Sequence, residues 1–187
     1  MRHVISALVM NEPGVLANVA GMFAARGFNI DSLVVGRTED PSLSRMTIVV
    51  NADDNTLDQV RKQLAKLVPI VQVRDFKGSA HIERDLALVT IGAGPEHRGE
   101  VIEIVNLFRG KVVDVAPQSL VVELAGTEEK IEAFVDLIKP YGLKELARTG
   151  VIAMARGVQP TKETTAPGSS KRTRSLNAPA TAALPPS

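Results

Sequence analysis

Val4-Ile5-Ser6-Ala7-Leu8-Val9-Met10, followed at once by Asn11-Glu12-Pro13-Gly14 and then Val15-Leu16, decides the architecture of this chain. The first seven residues form an apolar run of strand length, the next four a tight polar turn. Leu16, Val19, Ala20 and Phe23 then fall on one helical face. A strand therefore ends in a turn that opens directly into an amphipathic helix. Such a helix start presents unpaired main-chain N–H groups and a partial positive charge, which suit a small anionic group such as a carboxylate. Pro13 and Gly14 let the main chain turn sharply and let a ligand come close.

Outward from this turn, the first half reads strand, helix, strand, strand, helix, strand. The first strand covers 3–10 and the helix 14–26, with Gly27 as its stop. A second strand runs over 30–36, and in a third Met46, Ile48 and Val50 alternate with Thr47, Val49 and Asn51. Asp53-Asp54 suits the start of a helix bearing Leu57, Val60, Leu64 and Leu67; Pro69 stops it, and Ile70-Val71-Gln72-Val73 is the fourth strand. The second half repeats the order. It has a strand over 85–91, the turn Gly92-Ala93-Gly94-Pro95, and a helix carrying Val101, Ile104, Val105 and Phe108 that ends at Gly110. Strands over 111–115 and 120–124 hinge at Pro117. A helix from Gly126-Thr127-Glu128-Glu129 carries Ile131, Phe134, Val135 and Ile138, with Pro140 beyond it. Closing strand segments over 143–148 and 151–155 split at Gly150.

This order predicts an α+β fold of two tandem ferredoxin-like βαββαβ units, each an antiparallel sheet with two helices on one face. A repeat of element order at a period of roughly 80 residues fits two similar domains, 1–78 and 79–157, better than a solenoid. Each unit is small and the second face of its sheet needs cover, so self-association is expected. After Gly157 the pattern is lost. Residues 158–187 hold five of the eleven prolines with many Ser, Thr and Ala, too little apolar surface to offset chain entropy, and read as a disordered basic tail. Lys171-Arg172-Thr173-Arg174 within it reads either as solvated charge or as a docking arm.

Composition narrows the function classes. With 22 Lys and Arg against 21 Asp and Glu, the net charge of +1 argues against a dedicated nucleic-acid or membrane-surface binder. No cysteine is present, which excludes thiolate chemistry and disulfides and fits a cytoplasmic protein. No apolar run approaches the ~20 residues that span a bilayer. The strand pattern begins too early for a leader peptide. His3, His81 and His97 have no Ser or carboxylate partner at a motif spacing, and no metal-ligand spacing occurs. Gly92-Ala93-Gly94 with Gly99 is not a dinucleotide fingerprint. The first unit's strands lack the aromatics that stack RNA bases. The turn at Asn11–Gly14 together with Asn29 is what remains. Two readings of it stand: Asn11 caps a helix and Gly14 permits a turn, or a helix N-terminus holds a carboxylate while Asn side chains or carbonyls hold an ammonium, as a free amino acid would need.

Three blocks then carry a resemblance: Asn11-Glu12-Pro13-Gly14-Val15-Leu16; Arg26-Gly27-Phe28-Asn29-Ile30-Asp31-Ser32-Leu33; and Asp40-Pro41-Ser42-Leu43-Ser44-Arg45-Met46-Thr47-Ile48. With Phe108–Val115 and Ala147-Arg148-Thr149-Gly150-Val151, they resemble the small, regulatory subunits of acetolactate synthase (acetohydroxyacid synthase) over about residues 1–157. The resemblance implies an N-terminal ACT domain, a second ACT-like domain, a homodimer formed through the ACT sheets, and no catalytic residues or cofactor in this chain. It implies a large catalytic subunit carrying thiamine diphosphate, Mg2+ and FAD, which the small subunit activates and makes sensitive to valine or another branched-chain amino acid in valine and isoleucine biosynthesis. The effector would lie between two ACT domains, against Asn11, Gly14, Val15 and Leu16 of one and Asn29 and Ile30 of the other. Gly92–Arg98 lacks the Asn-x-x-Gly pattern and is not expected to bind the same effector. The alternative is a stand-alone ACT-domain amino-acid sensor that regulates another partner.

Overall fold

Alternation along β1 (Arg2–Met10) sends Ile5, Ala7 and Val9 to one side and Val4 and Ser6 to the other, and all five are buried. A strand buried on both faces belongs at the centre of a sheet, and the computed structural model, which describes residues 1–157 and 163–165, places it there. The N-terminal unit continues with α1 (Val15–Ala24), β2 (Ser32–Arg37), β3 (Leu43–Asn51), α2 (Asp54–Leu64) and β4 (Ile70–Asp75). β1 pairs antiparallel with β3 and β4, and β2 lies outside β3, giving the order β4-β1-β3-β2. Both helices cover one face: Val19, Phe23, Val60 and Leu64 pack on Ile5, Ala7, Met46 and Ile48. Gly27 ends α1 as expected. At φ +68° it takes the left-handed conformation, the Phe28 N–H donates to the Phe23 carbonyl at 3.0 Å, and the Gly27 N–H donates to Ala24 at 3.1 Å. The Phe23 and Phe28 rings meet edge to face at 6.2 Å and close the motif. α2 opens on Asp53, whose carboxylate accepts the Thr56 N–H at 2.8 Å.

The second unit comprises β5 (His81–Gly92), α3 (Arg98–Leu107), β6 (Lys111–Ala116), β7 (Ser119–Gly126), α4 (Glu128–Gly142) and β8 (Leu143–Arg148). Its order, β8-β5-β7-β6, is the topology of the first unit over again. Ala87, Val89, Ile91, Val122 and Leu124 meet Val101, Val105, Ile131 and Phe134 in a separate core. Thus the two ferredoxin-like antiparallel sheets, each backed by two helices, are present. Local details differ from expectation. The left-handed residue after α3 is Arg109, at φ +54°, not Gly110. Gly110 is needed for close approach instead, because a Cβ there would lie 3.2 Å from both the Glu123 carbonyl oxygen and Val105 Cγ1. Pro140 lies inside α4, not beyond it. It sits close to the helix end, so the main-chain donor it lacks does not stop the last turn.

The units are joined by pairing that the local pattern did not reveal. β5 starts at His81, earlier than expected, and its first four residues pair with β9 (Ile152–Ala155), from His81 opposite Ala155 to Arg84 opposite Ile152. The inner side of this ribbon carries Val151 and Ala153 onto Val4, Val49 and Phe76, on the side of the first sheet away from its helices. Part of the cover expected from a second copy is therefore supplied by the chain itself. Within the segment expected to be disordered, β10 (Glu163–Thr165) pairs antiparallel with β4, whose outer edge offers unpaired main-chain groups. The rest of that segment, with Lys171–Arg174, lies outside the described residues.

Candidate functional site

The turn between β1 and α1 is built around Gly14. Its φ of +83° is a conformation that side chains resist, and it is the N-cap of α1. Among the described residues no side chain caps this helix, and no acidic residue lies in its first turn. By contrast, α2 and α4 are capped by Asp53 and Thr127 and carry acids in that turn. A Cβ on Gly14 would meet nothing within 4 Å among the described residues, which leave the space in front of the helix start open. The start of α1 can thus accept an anionic group from outside.

The six residues singled out from the sequence separate into distinct roles. Asn11 does not cap the helix. Its Nδ2 donates to the Pro41 carbonyl at 3.0 Å, its Oδ1 accepts from Ser44 Oγ at 3.2 Å, and its N–H donates to Ser42 at 2.7 Å. It ties the turn to the β2–β3 loop. The Val15 side chain is buried in the core, so only its main chain faces the turn surface. Leu16, 47% exposed, presents an apolar side chain there. Asn29 and Ile30 lie beyond the other end of α1, and a ten-residue helix is about 15 Å long. Within one chain the two halves of the expected site do not meet. Asn29 is exposed and donates from Nδ2 to Asp31 Oδ1 at 2.8 Å; no partner of its amide oxygen occurs among the described residues. Half-buried Ile30 packs on the core beside it. They precede β2, whose outer edge has no partner strand among the described residues.

The equivalent turn of the second unit is closed from within. The Ala93 N–H donates to the Gln118 carbonyl as Asn11 does to Ser42. In place of an asparagine amide, the Arg98 guanidinium reaches the loop: Nη2 contacts the carbonyls of Ala93 at 3.1 Å, Ala116 at 2.7 Å and Pro117 at 2.8 Å. A fixed internal cation binds the carbonyls here, in accord with the missing Asn-x-x-Gly pattern.

Sequence reasoning missed the residues that connect the Asn29–Ile30 half of the site to the second unit. The Asp85 side chain is wholly buried and accepts from Arg148 Nη2 at 2.6 Å and Nε at 2.8 Å, from Thr149 Oγ1 at 3.2 Å and from the Gly150 N–H at 3.1 Å. Arg148 also pairs with Glu132. Gly150, at φ +84°, lies against β2: a Cβ there would stand 2.6 Å from Ser32 Oγ and 2.9 Å from Val34 Cγ2. The Val151 N–H donates to Ser32 Oγ at 3.3 Å. The Ala147–Val151 block was visible in the sequence, but its contact with residue 32 depends on the arrangement of the two units.

A second tie is ionic. Arg2 pairs with Glu83 at 2.7 Å and with Glu128 at 2.8 Å, and His81 Nε2 lies 2.7 Å from Glu83. Partial burial alone would raise the Glu83 carboxyl, but Arg2 and His81 outweigh it and hold the group below the usual carboxylate range. The folded-state value is depressed, so the tie stabilises fully above the unfolded value near 4.3 and fades as pH falls through the folded one. Replacing Glu83 with Gln should cost about 1 kcal/mol at pH 7, modest because Arg2 is partly solvated. In denaturant titrations the gap from the unmodified chain should close toward pH 3; an unchanged gap there would refute the ionic account.

Among the described residues no group of three or more His, Asp or Glu could hold a metal ion, and no helix is long and apolar enough to cross a membrane. A cleft of about 590 Å³ beside α2 and two of about 300 and 310 Å³ at the junction of the units include none of residues 11–16. Comparison with known proteins places the turn in context. Residues 5–72 match the model of the AHAS small subunit-like ACT domain, and residues 84–157 that of the small subunit of acetolactate synthase. The chain is 54% identical over 157 residues to a protein of Archaeoglobus fulgidus named "Probable acetolactate synthase small subunit", covering 84% of this chain and 98% of that one. It is 48% identical to the acetolactate synthase small subunit of Mycolicibacterium smegmatis, over 83% of this chain and 92% of that one. The crystal structure of the acetolactate synthase small subunit from Thermotoga maritima superposes with a TM-score of 0.78 at 41% identity, over 84% and 98% of the two chains.

Proposed function

Since this chain belongs to the family of acetolactate synthase small subunits, we propose that it activates a catalytic large subunit and makes that enzyme sensitive to valine or another branched-chain amino acid. The observation that carries this reading is the division of the site. The open helix start at Gly14 and the Asn29–Ile30 corner lie at opposite ends of α1, and among the described residues β2 leaves a sheet edge unpaired beside the second half. Two copies joined through their N-terminal units bring the turn of one to the corner of the other. The effector's carboxylate then takes the N–H groups at the start of α1. Its ammonium is met by the Asn29 amide oxygen, with the Asp31 carboxylate close by, and its branched side chain lies between Leu16 and Ile30. Asn11 holds the turn in shape through Pro41 and Ser44.

Regulation follows by linkage. An effector that bridges two copies favours the paired arrangement it fits, and that bias passes to the large subunit. About 1.4 kcal/mol of differential binding shifts the equilibrium tenfold. The large subunit supplies the chemistry, with thiamine diphosphate, Mg2+ and FAD as its cofactors. The test is acetolactate formation by the cognate large subunit with and without this chain across an L-valine titration. Activation followed by loss of activity as valine rises is the expected result. Activation without a valine response would overturn the effector assignment; failure of the two proteins to associate would overturn the whole reading.

A further inference from the structure

The outer side of the ribbon formed by β5 and β9 has no cover among the described residues. Ile82 and Met154 are cross-strand partners, and Arg84 stands opposite Ile152. Period-two alternation puts all four on the side away from Val151 and Ala153. Ile82 is 39% exposed, Ile152 52% and Met154 68%. Three large apolar side chains adjacent on a two-stranded ribbon form a patch, not scattered exposure. Arg84 and Arg156 flank it. The Arg84 guanidinium donates to the neighbouring Glu83 carbonyl, at 2.6 Å, and no carboxylate pairs with either arginine among the described residues. Arg2, by contrast, is neutralised by Glu83 and Glu128. The patch therefore combines apolar surface with two arginines in no ion pair, beside a cleft of about 310 Å³ lined by Ile82, Arg84 and Arg156 together with Arg2, His81, Thr127 and the carboxylates Glu83 and Glu129, so that three arginines there face two acids.

We infer that this face docks an acidic, apolar segment of the catalytic large subunit, an inference that rests on the function proposed above. Charge decides between the occupants. The chain's own segment after Gly157 carries Lys162, Lys171, Arg172 and Arg174 against Glu163 alone, so it matches the sign of the patch. A two-fold contact of the face with itself would join two surfaces of the same net positive sign. A segment bearing Asp or Glu beside Leu, Ile or Phe meets both features. The position also suits regulation, since the opposite side of the ribbon rests on Val4 and Val49 of the effector-binding unit.

The test uses the full chain with the purified large subunit. Met154→Glu alters an exposed side chain and is expected to fold; it should weaken association about tenfold or more. The double variant Arg84→Glu/Arg156→Glu should do the same, and association of the unmodified chain should weaken as salt rises. Leu137→Glu, an exposed position on α4, should leave association unchanged. If the unmodified chain binds the large subunit and both patch variants bind equally well, the docking face is refuted while the function stands. Should the variants change only the self-association of the chain, the patch is a contact between copies and the inference again fails. If the unmodified chain does not bind at all, the proposed function itself falls.

Discussion

Gly14→Asp is expected to raise the valine concentration for half-inhibition by about a hundredfold or more, while activation of the large subunit persists. Aspartate tolerates the left-handed conformation better than most residues, so at a φ of +83° it is strained less than most side chains would be. Its Cβ would enter open space, with nothing within 4 Å to displace. The carboxylate would then lie at the start of α1, where the effector's own carboxylate is proposed to bind, satisfying the same N–H groups and repelling the ligand. Loss of a charged hydrogen-bonded contact with added repulsion is worth about 3 kcal/mol, which is roughly a hundredfold in affinity. Gly14→Asn separates charge from bulk and should retain part of the response. Valine titrations of the reconstituted enzyme decide the matter, and a Gly14→Asp enzyme as sensitive as the unmodified one would refute the site.

Asp85→Ala should lower stability by about 3 kcal/mol, because removing one member of a buried ion pair strands its partners. For a chain of this size that is roughly 6–12 °C in Tm. Four contacts disappear: two from Arg148, one from Thr149 and one from the Gly150 N–H. Arg148 keeps Glu132, which places the loss at the low end of the range. The corner at Gly150 loosens, and with it the seat of Val151 and Ala153 on Val4 and Val49. Hydrogen exchange at the Val151 N–H, bonded to Ser32 Oγ, should accelerate more than exchange at the centre of β1. A thermal shift under 3 °C with unchanged exchange at Val151 would show that Asp85 does not hold the units together.

The sequence by itself determined the order of elements, the two helices on one face of each sheet, and the turns at Gly14, Gly27 and Gly150. These rest on apolar period, capping chemistry and glycine's access to positive φ, all of which act over a few residues and so leave a local trace. It also singled out the helix start at Gly14, since a strand–turn–helix junction is local. What only the tertiary structure decided involves partners distant in the chain. The pairing of His81–Arg84 with β9, the burial of Asp85 beneath Arg148, and the seat of Gly150 on Ser32 and Val34 arise when two units pack, and no periodicity encodes them. The same holds for Arg98, whose helical position gives no sign that it reaches Ala116 and Pro117 across a loop. Asn11 shows the division most plainly. The residue type suits a cap or a ligand contact, but the approach of Pro41 and Ser44 commits both ends of its amide to the fold. Side-chain chemistry is fixed by identity, whereas its use depends on which groups folding brings within hydrogen-bond reach.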